Sequence, residues 1–182
     1  MVSLDVSGRM LLGTDIGAVL AVLDGLGVDV VGLNCSTGPE YMRDAIRYLG
    51  EHASMPIACI PNAGLPLNVG GKAHFPLEAE PMADQLLGFV EEFAVNAVGG
   101  CCGSTPEHIR ALRVRLGEDR KPQPRRPDGV PRLASSMTAI DLAQEPAPLL
   151  IGERVNSQGS RKIKELLITD DYEGILGVAR QQ

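Results

Sequence analysis

The feature that most narrows the folds open to this chain is an alternation, four times over, of a short apolar run with a helical stretch across residues 1–116. The apolar runs are 2–6, 28–34, 57–61 and 97–101, rich in Val, Ile and Ala and closed by Gly, Asn, Pro or Cys. Runs so short and so uniformly apolar fit parallel strands buried on both faces. The intervening stretches 16–26, 39–52, 81–94 and 106–116 predict helices. In the second of these, Tyr41, Ala45, Tyr48 and Leu49 form one stripe, while Glu40, Arg43, Asp44 and Arg47 stay in water. Pro39 and Pro106 stand where a first helical turn tolerates proline, each just after a Ser-Thr pair that can cap it.

Four strand–helix units in a row imply an α/β chain with a parallel sheet. An open doubly wound sheet and a (βα)8 TIM barrel both satisfy that pattern. The residues with chemical potential, Asn34-Cys35, Asn62 and Cys101-Cys102, all fall at the carboxyl ends of successive strands. Both architectures place their ligands at that edge. Four units are half of an eight-unit barrel, and a half barrel has two unpaired strand edges and an uncovered interior. The chain therefore reads as incomplete, or as a half barrel that closes by forming a homodimer through its exposed strand edges.

Beyond residue 116 the composition changes. Lys121-Pro122-Gln123-Pro124-Arg125-Arg126-Pro127 is charged and proline-rich, and Pro131, Pro146 and Pro148 follow. Repeated prolines oppose both helices and central strands, so 117–148 reads as an interdomain linker. A new strand is expected at 149–152, a helix at 159–168, and another helix from Asp171 onward. Residues 149–182 thus look like the opening of a second domain.

Bulk properties exclude some partners. The net charge of −6 argues against nucleic acid and anionic membrane surfaces, both of which select basic patches. No apolar run approaches the roughly 18–20 residues of a membrane span. The start, Met1-Val2-Ser3-Leu4-Asp5, is not a basic leader followed by an apolar stretch, so a cytoplasmic location is expected.

The four cysteines carry the chemistry. Cys101 and Cys102 are adjacent, which disfavours a disulfide between them, and the glycines of Gly99-Gly100-Cys101-Cys102-Gly103 permit sharp turns. With Cys35 from a neighbouring strand end they offer three thiolates and leave one position open, the pattern of a catalytic zinc. Two other readings stay open: buried small residues, or a redox or persulfide site in an open α/β protein. Cys59, in mid-strand, reads as packing. Asn62 lies between the cysteine strands, where its amide oxygen could fill an open metal position or bind substrate; Asn-Ala-Gly suits a plain turn equally well. Asn34 could orient Cys35, and the backbone around Ser36-Thr37-Gly38, at a helix start, could receive a carboxylate. The stretch 62–80 is long enough for a mobile lid. His52 and His74 suggest no chemistry, and His108, beside Glu107 on a helix, reads as a surface residue rather than a fourth ligand.

Three segments together resemble the homocysteine methyltransferase family: Val30-Val31-Gly32-Leu33-Asn34-Cys35-Ser36, Pro61-Asn62-Ala63-Gly64, and Val98 through Ile109 with its paired cysteines. The resemblance covers 1–116 and implies the C-terminal half of a (βα)8 barrel. It further implies a zinc bound by Cys35, Cys101 and Cys102, with homocysteine as the substrate. Ile151-Gly152-Glu153-Arg154-Val155-Asn156-Ser157-Gln158-Gly159-Ser160 resembles the entry to the pterin-binding barrel of the cobalamin-dependent methionine synthase family. That second resemblance implies cobalamin and methyltetrahydrofolate as cofactors, held by parts of such an enzyme largely absent here. It makes Glu153 and Asn156 candidate pterin-site residues, although closing a strand-to-helix turn would account for both. By the same resemblance, the fragment is expected to be inactive without the missing portions of the full-length enzyme.

Overall fold

The computed structural model describes residues 1–124 and 127–181, so Arg125 and Arg126 of the proline-rich stretch and the terminal Gln182 lie outside the described residues. In chain order the elements are α1 (Ile16–Gly25), β1 (Val31–Asn34), α2 (Pro39–His52), β2 (Ile57–Ile60), β3 (Leu67–Val69), β4 (Lys72–His74), α3 (Ala79–Phe93), β5 (Ala97–Val98), α4 (Pro106–Leu116), β6 (Arg132–Ala134), β7 (Ala139–Asp141), α5 (Arg161–Ile168) and α6 (Tyr172–Arg180). They group into two compact units, Met1–Leu142 and Ala143–Gln182.

The first unit is built on a parallel sheet of order β1-β2-β5, with Val31 opposite Ile57 and Cys59 opposite Val98. Val2 extends it by a parallel bridge to Leu33. The predicted first strand goes no further, because the Asp5 carboxylate accepts the backbone N–H groups of Ser7 and Arg9 and turns the chain. Val2, β1, β2 and β5 follow one another in chain order, without the reversal that marks a doubly wound sheet. The arrangement is mixed α/β with no closed barrel among the described residues.

Helices α1 to α4 pack against one another in the same order. Val31, Leu33, Ile57 and Cys59 are fully buried, and the Cys59 thiol points to Met42 of α2. On the other face Gly32 and Ala58 are buried as well, while Asn34, Ile60 and Gly99, at the strand ends, are half-buried. The buried stripe of α2 is Met42, Ala45, Ile46 and Leu49, whereas Tyr41 is exposed. The face is thus rotated by about one position from the stripe read in the sequence. The sheet needs the flexible Met42 and branched Ile46 to fill its grooves, and each such side chain contributes about 1.5–3 kcal/mol when buried.

Residues 117–148 contain a hairpin that the sequence reading did not anticipate. Antiparallel β6 and β7 pair Arg132 with Asp141 and Ala134 with Ala139, and both pack on α1. Arg132, nearly buried, is the anchor: its guanidinium binds both Asp128 and Asp141 (2.8 Å), and His52 Nδ1 lies 2.7 Å from Asp128. In the second unit α5 and α6 pack together, each capped by an N-terminal acceptor, Ser160 and Asp171 respectively. The strand expected at 149–152 does not form; Leu150 and Ile151 are largely exposed, and no neighbouring strand among the described residues completes a ladder there.

Candidate metal centre

The centre sits where β1, β2 and β5 end, and the loop after the middle strand holds the other two. Cys35 donates its backbone N–H to Ile60 O (3.0 Å), and Asn62 returns a bond to Thr37 O (3.0 Å). On the other side, Cys101 donates to Pro61 O (2.7 Å) and Ala63 donates to Cys102 O (2.9 Å). The side-chain oxygen of Asn62 accepts the Cys102 N–H at 3.1 Å. Among the described residues of this unit, Asn62 and Thr37 are the buried polar ones, 3% and 1% exposed.

These bonds bring three sulfurs together. Cys35 Sγ lies 3.7 Å from Cys102 Sγ, and Cys101 Sγ lies 3.9 Å from Cys102 Sγ. All three fall within 4.8 Å of one another. Two sulfurs bonded at about 2.3 Å to one tetrahedral zinc lie about 3.8 Å apart, so the donor set fits that ion in spacing as well as in chemistry. Backbone geometry is spent on achieving this. Cys35 and Ser36 both occupy the left-handed region, at φ 59° and 65°, which non-glycine residues adopt at a cost. Gly100 is required as well, because a Cβ there would stand 2.2 Å from Ser104 Oγ.

The thiols are not equivalent. The Ser36 N–H pulls the Cys35 thiol below its ordinary value against the opposing effect of burial, and Cys102, Cys101 and the Asn62 amide add to that pull. Cys102 is pushed up to about 11, first through its bond with Cys35 and then by Cys101. Negative charge therefore settles on Cys35 before Cys102. Burial alone pushes Cys59 up to about 12, in keeping with a packing role.

Residues 1–116 match the homocysteine S-methyltransferase family. The chain belongs to that family. Over its whole length it is also similar to two methionine synthases, 44% identical to that of Mycobacterium leprae and 42% to that of Mycobacterium tuberculosis. The chain spans about 15% of the length of each of those relatives.

Of the site residues expected of a homocysteine S-methyltransferase, Cys35, Cys101, Cys102, Asn62, Ser36 and Asn34 are gathered at one sheet edge. Ser36 acts through its backbone on Cys35, and Asn34 ends β1 with its N–H on Val2 O (3.0 Å). Glu153 and Asn156 lie in the second unit, on an open cleft shared with Ser160, Lys162 and Gln181. There Asn156 accepts the Gln158 N–H through its side chain (2.9 Å) and the Ser160 N–H through its carbonyl (2.8 Å), so it shapes the turn into α5.

The stretch 62–80 is not one open loop. Its tip is the β3–β4 hairpin, with His74 exposed in β4, and its base is tied down where Leu77 donates to Ala63 O (3.0 Å). His108, read in the sequence as a surface residue, engages both ring nitrogens: Nδ1 faces the Thr105 N–H at 3.2 Å and Nε2 faces Leu77 O at 2.9 Å. The signal for this was present as Thr105-Pro106-Glu107-His108, a capping-box spacing with histidine in the place of Glu or Gln.

Proposed function

We propose that this chain carries the thiol-activating centre of a cobalamin-dependent methionine synthase. Cys35, Cys101 and Cys102 would hold zinc, and homocysteine would take the remaining position. The observation that supports this most directly is the spacing of the three sulfurs, close to two edges of a tetrahedral site, in a family whose substrate is homocysteine. A bound zinc supplies Lewis acidity that favours the thiolate form of a coordinated substrate thiol at neutral pH.

The chain's own residues set the charge and the geometry. Three thiolates outweigh a dication, which keeps a substrate sulfur electron-rich. The Asn62 amide and the Ser36 N–H temper the charge on Cys35, while the β2 loop holds both cysteine turns at fixed separation. Methionine would form when that sulfur accepts a methyl group from methylcobalamin, itself regenerated from methyltetrahydrofolate; the parts of the enzyme that bind these would complete the activity. The in-order strands Val2, β1, β2 and β5, covered by helices in the same order, fit the C-terminal half of a (βα)8 barrel. Residues 149–182 would then open the pterin-binding barrel, with Glu153 and Asn156 at its entry.

The test is the zinc content of the folded chain and of Cys35→Ser and Cys102→Ser. One zinc in the parent, none in either variant, and proton release when homocysteine is added are expected. A folded parent without zinc, or zinc retained by both variants, would sink the proposal.

A further inference from the structure

The hydrogen bonds around Cys102 close into a circuit that runs through His108. Cys102 O accepts from Ala63 (2.9 Å), Ala63 O accepts from Leu77 (3.0 Å), and Leu77 O faces His108 Nε2 (2.9 Å). His108 Nδ1 faces the N–H of Thr105 (3.2 Å), three residues beyond Cys102. A carbonyl only accepts and a backbone N–H only donates, so the ring carries its proton on Nε2 and presents a lone pair from Nδ1. Ala63 is fully buried, and the ring of Phe75, two residues before Leu77, is pressed so closely on Gly103 that a Cβ there would lie 2.3 Å from it.

We propose that His108 is a positioning residue for substrate. It locks the loop 64–77, and with it Phe75 and the β3–β4 hairpin, against the turn bearing Cys101 and Cys102. That loop then forms a fixed wall beside the thiolate cluster where homocysteine sits. The inference rests on the functional reading above, since it presumes that homocysteine binds at these sulfurs. Histidine is suited to the task because it offers an acceptor to the helix cap and a donor to a carbonyl 31 residues away. Glutamate at this position would still cap α4 but would set an acceptor against Leu77 O.

The discriminating variants are therefore His108→Glu, His108→Asn and His108→Gln. Asparagine keeps an acceptor near Thr105 and loses the reach to Leu77, without the charge of glutamate; glutamine keeps a donor for Leu77. The chain is loaded with Co(II), whose sulfur-to-metal absorption reports the thiolate site, and titrated with homocysteine. His108→Glu and His108→Asn should keep the metal and stay folded at room temperature, with a thermal midpoint lowered by the lost bond to Leu77, yet bind homocysteine on the order of 10-fold more weakly. Amide exchange at Ala63 and Leu77 should accelerate in both, and His108→Gln should behave as the parent. Parent-like homocysteine affinity in the Glu and Asn variants overturns the inference, as does equal weakening in all three. A metal-loaded parent that ignores homocysteine overturns the functional reading and this inference with it; a responsive parent with indifferent variants overturns the inference alone.

Discussion

Asn62 joins the two cysteine turns: its side-chain oxygen accepts the Cys102 N–H at 3.1 Å, and its amide favours the thiolate of Cys35. One buried side chain on the middle strand's loop thus sets the separation between ligands 67 residues apart. Asn62→Ala should leave the part-buried Cys102 N–H without its side-chain acceptor, at a cost of about 0.5–1.5 kcal/mol. Urea denaturation measures that cost. Zinc affinity, by competition with a chelating dye, should fall by about 10–100-fold; an unchanged affinity would show that the cysteine turns hold themselves.

Thiol reactivity should follow the order of the thiol shifts. In metal-free protein Cys35 should be alkylated before Cys102, with a midpoint below the ordinary thiol value, because the Ser36 N–H favours its thiolate. Cys102 should lag until pH approaches about 11. In Cys35→Ser the largest cause of that upward shift is gone, so Cys102 should react at lower pH. Cys59 should stay inert in the folded state. Mass spectrometry of peptides alkylated across a pH series reads all three, and faster labelling of Cys102 than of Cys35 would contradict the order.

Two glycines separate backbone strain from crowding. Gly8 and Gly103 have nearly the same φ, 76° and 78°, but nothing surrounds Gly8 while Phe75 crowds Gly103. Gly8→Ala should cost about 1 kcal/mol, the conformational penalty alone. Gly103→Ala should cost more and should also reduce bound metal, because its turn must shift. Equal midpoints in thermal unfolding would refute the close approach of Phe75.

Acid should release the hairpin anchored by Arg132. The Arg132 guanidinium holds the Asp128 carboxyl well below the usual carboxylate range, with smaller help from the Val130 N–H and His52. A group depressed on folding stabilises fully above its unfolded value, about 3.9 for Asp. That contribution is lost as pH falls from there through the folded value. Amide protection in β6 and β7 should therefore hold from neutral pH down to about 4 and then decline. In Asp128→Asn it should already be reduced at pH 7, and an unchanged pH profile in that variant would place the anchor elsewhere.

Much of the first unit was legible in the sequence because its signals are local. Alternating apolar runs and helical stretches located α1, β1, α2, β2, α3 and α4, since burial on both faces leaves a composition that needs no partner to be read. The strand ends carried Cys35, Asn62, Cys101 and Cys102 to one edge by chain order alone. The hairpin of β6 and β7 was hidden by proline-rich surroundings, because what holds it is Arg132 set against acids at 128 and 141. The strand read at 149–152 failed for the opposite reason: apolar residues are present there, but a strand exists only where a neighbour completes its ladder.

The sequence by itself determined the order of strands and helices and which thiols could meet. Tertiary structure alone decided how they meet. The closeness of Cys35 to Cys102, the bond from Cys102 to the Asn62 oxygen and the engagement of His108 Nε2 depend on hydrogen bonds between residues 31 to 67 positions apart. Such bonds take their direction from packed strand ends, and no local pattern of residues encodes that direction.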